Sequence, residues 1–414
     1  MNTHSDRERV AVIGSGVAGL TASYVLQRRY DVTLFEADAR LGGHAHTHDV
    51  LTPAGNTAVI DTGFIVHNER TYPQLIRLFT ELGVATQDSD MSMSVRCDGC
   101  GLEYAGAKGR SGLFAQPRNL ANPRYLRMLG EVLRFYRHAR RVLDGELDEV
   151  TVGTFLTVGG YSDYFVQHFL IPVVSAVWSA GPELSTRYPA RYLFEFLLNH
   201  GMLSVTGTPQ WRTVVGGSRS YVERAVKELS GIAVSTPVRS VLRAADGVLV
   251  RDDSDTEQHF DKVVIATHPA QAMRLLGDPT ELENAVLGAF QYSRNETWLH
   301  TDPTVLPRSA GARASWNYLK TSCAVADEPV LVSYDMNRLM RLGEPLDYVV
   351  TLNAAGRIGE RAVLEKMVYE HPVYTPQSVA AQRRLPELNT PTTAYAGAYH
   401  GWGFHEDGAA AGVR

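Results

Sequence analysis

The segment from Arg9 to His44, RVAVIGSGVAGLTASYVLQRRYDVTLFEADARLGGH, constrains the fold more than any other stretch of the chain. Val10 to Ile13 is a short apolar run of the kind a buried parallel strand needs. Gly14, Gly16 and Gly19 follow as G-x-G-x-x-G. In that spacing the first glycine permits a tight turn, the second lets backbone approach a pyrophosphate, and the third lets the helix lie close to the strand. Leu20 to Gln27 reads as that helix, with its first N–H groups facing the phosphates. Asp31 to Phe35 alternates as a second strand and ends at Glu36, an acid about 20 residues on that suits a ribose hydroxyl pair. Strand, glycine turn, helix and terminal acid together specify a dinucleotide-binding βαβ unit.

With 414 residues, 44% hydrophobic and 21% charged, the chain can build two domains with their own cores. A net charge of −5 gives no global basic field, so no nucleic-acid partner is expected. The three cysteines, Cys97, Cys100 and Cys323, are too few for a disulfide framework and suit a reducing compartment. The polar start MNTHSDRER lacks an apolar signal region, and no apolar run reaches the roughly 18 residues a membrane span needs. A cytoplasmic location is expected, with peripheral contact at the inner membrane surface as an option.

Tyr72 to Leu82 has helical spacing, stopped by Gly83. Met91 to Tyr104 alternates as a strand pair turning at Cys97-Asp98-Gly99-Cys100. Zinc needs four ligands, no second pair exists and Cys323 is distant in sequence, so this C-x-x-C reads as a hairpin turn, with a redox dithiol as the alternative, and no metal is expected. Arg118 to Leu143 is a basic helical region in which Arg124, Arg127, Arg134, Arg137, Arg140 and Arg141 are opposed only by Glu131. Its stripe of Leu126, Leu129, Leu133 and Tyr136 suits either an anionic membrane surface or a solvated face over packed core. Tyr164 to Trp178 is apolar all round and reads as a buried helix broken at Pro172, with a stop at Ser179-Ala180-Gly181. Tyr192 to Leu198 is a second apolar helix, capped by Asn199-His200-Gly201. Phe260 to Thr267 returns as a final parallel strand. Leu287 to Asp302, Ser315 to Leu319, Val330 to Asp335 and Tyr348 to Leu352 read as a second sheet.

Beyond Glu36 the chain resembles the flavin-containing amine oxidase and phytoene desaturase superfamily. Arg40, Gly42, Gly43 and His44 match the R-x-G-G-R/H segment of that family. Asp61-Thr62-Gly63 matches its D-x-G beside the flavin ring, and Ala394 to Arg414 resembles its closing flavin motif, with a helix starting near Glu406. The nearest resemblance is to bacterial flavoproteins associated with cyclopropane and furan fatty-acid synthesis. The implied fold class is α/β: a Rossmann-like, glutathione-reductase-type FAD-binding domain (1–70, 211–275 and 386–414) with an α+β substrate domain, a mixed sheet plus helical cap (71–210 and 276–385). The implied cofactor is FAD. Its implied contacts begin with Gly14, Ser15, Gly16, Val17 and Ala18, then Glu36 and Ala37. Arg40, Gly42, Gly43 and His44 would follow the diphosphate, and Gly63, Phe64 and Ile65 the ring. Val238 and Thr267 would lie on the adenine and linker side. Gly403, Phe404, His405, Glu406 and Asp407 would present a helix N-terminus to the flavin.

The resemblance implies hydride removal from a C–H bond, the flavin supplying the redox chemistry. The apolar helices fit a long acyl or isoprenoid chain better than an amine, and the resemblance implies a methylated fatty-acyl chain on a phospholipid. Amine oxidases carry a lysine near flavin N5, and Tyr292, Ser293, Arg294 and Asn295 supply none. His67 and His200 are the candidate bases and Trp178 a positioning wall. Amine oxidation, a redox-neutral double-bond isomerase and a non-catalytic flavoprotein partner of a lipid methyltransferase are the alternatives.

Overall fold

The computed structural model describes residues 7–145, 150–179, 181–204, 207–323 and 330–414. The start of the polar N-terminus, Met1 to Asp6, and Ala180 of the expected helix stop lie outside these residues. The opening βαβ unit forms as its pattern requires: strand Arg9–Ile13, helix Val17–Leu26, strand Asp31–Phe35. These strands sit inside a five-stranded, all-parallel sheet, in the order Gly231–Ala233, Asp31–Phe35, Arg9–Ile13, Lys262–Ile265, Thr393–Tyr395. Arg9–Ile13 is central and is buried from Val10 onward, which is why its run is continuous rather than alternating. The strand expected over 260–267 is present as Lys262–Ile265, but it is not the last parallel strand. Thr393–Tyr395, from the tail, pairs beside it.

A seven-stranded mixed sheet carries the other half. Its order is Val363–Val373, Gln291–His300, Val349–Leu352, Val332–Asp335, Trp316–Lys320, Met93–Cys97, Glu103–Ala105. Only Trp316–Lys320 and Met93–Cys97 run parallel. Val363–Val373 is a strand that no expectation above covers, and it is the edge of the sheet.

Helices roof this sheet. The basic region forms Pro123–Asp144, started by Asn122, whose side chain accepts from the Arg124 and Tyr125 amides. Its packed stripe differs from the expected one. Tyr125, Met128, Phe135 and Ala139 are buried, whereas Leu126 and Leu133 are 43% and 53% exposed. The packed face is a tyrosine–aromatic one because Phe135 meets the rings of Phe155, Tyr161, Phe165, Phe169 and Phe194 at centroid distances of 5.5–6.3 Å. Glu131 is itself buried, accepting from the Ser162 amide and hydroxyl and pairing with Arg127 and Arg134. The apolar segment over 164–178 is broken earlier than Pro172. A π-helical turn, Val166–Leu170, precedes helix Ile171–Trp178, and Pro172 sits harmlessly in that helix's first turn. No helix among the described residues is long and apolar enough to cross a membrane.

Asp61, at the end of strand Thr57–Asp61, ties two elements together. It accepts from Thr47 Oγ1 at 2.6 Å, from the Ser218 amide at 2.9 Å and from Ser218 Oγ at 2.7 Å. Ser218 is the residue from which helix Arg219–Val226 starts. Burial holds the carboxyl up at about 6 despite those donors. Asp61→Ala leaves buried donors unpaired and is expected to cost about 2–4 kcal/mol in urea unfolding; a loss under about 0.5 kcal/mol contradicts the role. Because the folded state keeps a proton that the unfolded chain releases between about pH 4 and 6, wild-type stability falls relative to Asp61→Asn as pH rises through that window. A difference that is flat or grows across it contradicts the assignment.

Candidate cofactor and substrate site

The glycine loop is shaped by close approach. Gly14 has φ +99°, and its amide donates to Phe35 O at 2.8 Å. A Cβ on Gly19 would lie 1.8 Å from the Gly14 carbonyl oxygen, so the helix can reach the turn only without a side chain there. A Cβ on Gly16 would meet no atom within 4 Å, so this glycine faces open space. Glu36 bridges back to the loop: one carboxylate oxygen accepts from the Ser15 amide (2.9 Å) and hydroxyl (2.5 Å), the other from the Asp38 amide (2.9 Å). Gly63 is pressed against the His44 carbonyl, where a Cβ would lie 2.2 Å from the oxygen.

These elements open onto one cavity of about 1320 Å³. Gly14, Ser15, Gly16, Val17, Ala18, Glu36 and Ala37 line it, as do Gly43, His44, Gly63, Phe64 and Ile65. Val238, Thr267, Gly403, Phe404 and His405 line it as well, so the structure gathers most of the expected cofactor residues around a single space. The same space continues between Met128, Val132, Phe135, Phe169, Val173 and Leu352 of the cap and mixed sheet.

Five expected residues stand elsewhere. Arg40 does not line the cavity; its guanidinium reaches the Ala45 carbonyl at 3.5 Å. Gly42 is behind the lining, where its amide donates to the Ser15 carbonyl and hydroxyl oxygens and braces the turn. Glu406 turns away to accept from the Gln74 and Leu75 amides (3.0 and 2.9 Å), capping helix Pro73–Glu81, whose own N-cap residue Tyr72 offers no side-chain acceptor. Asp407 accepts from the Phe404 amide at 2.9 Å and so caps its own helix; burial raises its carboxyl to about 7. His67 is buried against Phe64, Tyr72 and Phe79 with Nδ1 unpartnered, outside the cavity lining. It is a core histidine held near 4 by burial, not a base. The closing helix spans His405–Val413, starting next to the expected Glu406.

Trp178 and His200 do line the cavity. Trp178 Nε1 donates to the Trp402 carbonyl at 2.9 Å. Tyr192 and Tyr374 hydroxyls and the Gln382 amide all donate to the Gly401 carbonyl, at 2.7, 2.8 and 2.6 Å. The cap therefore clamps the turn that delivers Gly403 and Phe404. His200 places Nδ1 2.9 Å from the Phe196 carbonyl, so the neutral ring presents Nε2 as an acceptor. Its ring stacks on Phe196 at 4.0 Å, and Phe196 stacks on Phe404 at 4.9 Å. Burial lowers His200 to about 4.

The missed residues sit on the unexpected strand. Tyr369 and His371 line the cavity beside His44, at ring distances of 5.0 and 5.7 Å. His268 joins them, with Nδ1 3.0 Å from Glu370 and its ring 4.2 Å from Tyr292. Val363, Glu365, Met367, Tyr369, His371 and Val373 alternate along one face, a period-two signal masked by flanking charges and Pro372. Burial lowers His44 well below its usual range and His371 to about 4, so both are neutral at pH 7.

A glycine cradle that side chains would fill, an acid at ribose distance and an adjoining long cavity fit an adenine-linked flavin. A profile described as "Flavin containing amine oxidoreductase" matches residues 17–308. Cyclohexylamine oxidase from Brevibacterium oxydans superimposes over 98% of this chain and 97% of its own, with a TM-score of 0.70 and 16% identity. A CLA-producing fatty acid isomerase from P. acnes superimposes over 99% and 98%, with a TM-score of 0.65 and 15% identity. Protoporphyrinogen oxidase 2 of Arabidopsis thaliana is 60% identical over 37 residues, which is 9% of this chain and 7% of that protein.

Glu36→Ala is expected to weaken FAD binding about tenfold or more, equivalent to about 1.4 kcal/mol, while leaving affinity for FMN, which lacks the adenosine, unchanged. Equal losses for both flavins in a fluorescence titration would place Glu36 outside the ribose contact.

Proposed function

Because the chain belongs to the flavin-containing amine oxidoreductase family and binds FAD as its members do, we propose that it is an FAD-dependent dehydrogenase of a long apolar substrate, with a methylated fatty-acyl chain on a phospholipid as the favoured class. The observation that carries this is the chemistry of the cavity wall. Among the described lining residues the carboxylates are Glu36 and Asp38 beside the glycine loop and Glu370 against His268, and there is no lysine. An ammonium substrate taken from water into the cap would find no counter-ion, at a cost of several kcal/mol. An acyl chain would instead bury its methylenes against Met128, Val132, Phe135 and Val173, each worth about 0.8 kcal/mol. Leu133 both lines the cavity and is 53% exposed, so it marks a mouth on the arginine-rich helix. Arg124, Arg127 and Arg137 lie exposed along that helix, at a place where lipid phosphates could be met.

FAD, when bound, supplies an acceptor for a hydride. The chain's own residues bind and orient. Trp178, held by the Trp402 carbonyl, is a rigid wall. His200 Nε2 is the acceptor for a proton leaving the neighbouring carbon. The neutral histidines around His44 add no charge of their own to the cavity. A redox-neutral double-bond shift is the second reading, favoured by the shared fold with a fatty acid isomerase.

Anaerobic mixing of the FAD-loaded protein with vesicles of saturated or methyl-branched phospholipid is expected to bleach the flavin absorbance, and a panel of alkyl amines and polyamines is not. His200→Phe is expected to slow bleaching by about 10²–10⁴-fold. Bleaching by amines and by no lipid contradicts the proposal; a double-bond shift without net bleaching selects the isomerase.

A further inference from the structure

The Cys97–Cys100 hairpin acquires two partners that its spacing did not reveal. Cys97, Cys100, Cys323 and His168 bring their ligand atoms within 4.8 Å of one another. The sequence separation that argued against a four-ligand set is closed by the mixed sheet. Strand Trp316–Lys320 runs parallel beside Met93–Cys97 with Lys320 opposite Cys97, and Cys323 follows three residues later. The Asp98 amide donates to the Lys320 carbonyl at 2.8 Å, locking the two segments. Gly99 is required at that contact, since a Cβ there would lie 2.8 Å from the Cys323 nitrogen.

We propose that these four residues form a tetrahedral Cys3His site for a divalent zinc ion that staples the helical cap to the mixed sheet. Two distances define the geometry. Cys97 Sγ lies 3.7 Å from Cys323 Sγ, and Cys100 Sγ lies 3.6 Å from His168 Nε2. Zinc bonds of about 2.3 Å to sulfur and about 2.0–2.1 Å to nitrogen give tetrahedral edges of about 3.7–3.8 Å and about 3.5–3.6 Å, respectively. A Cys97–Cys323 disulfide would instead need its sulfurs about 2.05 Å apart. The hairpin has the form of a metal knuckle: Cys97 N donates to Leu102 O and Gly101 N to Cys97 O, both at 2.8 Å, with Gly101 at φ +72°.

His168 is oriented as a ligand. Its Nδ1 lies 3.1 Å from the Tyr164 carbonyl, which fixes the proton there and leaves the Nε2 lone pair directed at the sulfurs. The ring is 1% exposed and stacks on Tyr164 at 4.2 Å. It projects from the π-helical turn Val166–Leu170, a wound-out turn of the kind that accompanies functional side chains. Three thiolates and one imidazole select a borderline-soft tetrahedral ion, and four protein ligands leave no open position, so the role is structural. Phe169, the next residue, lines the substrate cavity, so the ion would hold one wall of it.

The test is elemental analysis of the FAD-loaded protein, expressed with zinc in the medium and purified without chelator or polyhistidine tag. About one zinc per chain is expected, with tetrahedral cobalt absorption to the red of the flavin bands after exchange. Cys100→Ser and Cys323→Ser are expected to lose the zinc, and His168→Cys, which restores a four-sulfur set, to keep it. Should the serine variants fail to fold, mercurial treatment of the wild-type holoenzyme reads the same site. One zinc released as the cysteines are titrated supports the proposal. Below about 0.1 zinc per chain with no tetrahedral cobalt spectrum, or a Cys97–Cys323 disulfide in peptide maps, overturns it.

Discussion

The last helix lies on the first because two glycines leave it room. Gly408 and Gly412 stand one turn apart on His405–Val413, and a Cβ on either would collide with Val17 or with the Ala18 and Ala22 backbone. Ala18 and Ala22 present the matching small face on Val17–Leu26. This close approach lets the chain's two ends share one cavity: Gly14 to Ala18 line it from one side and Gly403 to His405 from the other. Thr393–Tyr395, joining the parallel sheet just before, sets the tail on the correct side of the first helix. Gly231–Ala233 and Lys262–Ile265 complete the parallel sheet, and the helices between residues 123 and 199 are left to build a roof.

The roof is apolar and the histidines of the cradle are neutral, and both follow from burial. His44, His200, His371 and His405 are all pushed below their usual range by desolvation, so they act as neutral donors and acceptors. The N-terminus of the closing helix, beside Gly403 and Phe404, adds a partial positive charge, with Glu406 and Asp407 in its first turn. Clamping of Gly401 and Trp402 by Tyr192, Tyr374, Gln382 and Trp178 keeps that helix end fixed against the cap.

What could be read from the chain before folding was local. The glycine spacing, the strand period and the terminal acid each depend on neighbours within about 20 residues, and all three are where they were expected. Contacts made across the topology were not legible. Arg40 carries the right charge for a diphosphate and Glu406 stands in the first turn of the closing helix, but the backbone carbonyl of Ala45 and the open N-terminus of Pro73–Glu81 claim their side chains. His67 shares a segment with Gly63 yet faces core, because a strand alternates its sides. Tyr369 and His371 were invisible because their strand is a charged edge. Cys323 was set aside for its distance in sequence, a distance that one parallel strand pair removes.

The most direct test of the shared cradle is the flavin content of Gly412→Val, a residue outside the cavity lining. If closure of the first and last helices builds the cofactor site, the overpacked contact costs about 1–3 kcal/mol and the protein is purified with little or no bound flavin and weakened FAD affinity. Stoichiometric FAD bound with wild-type affinity would contradict the account.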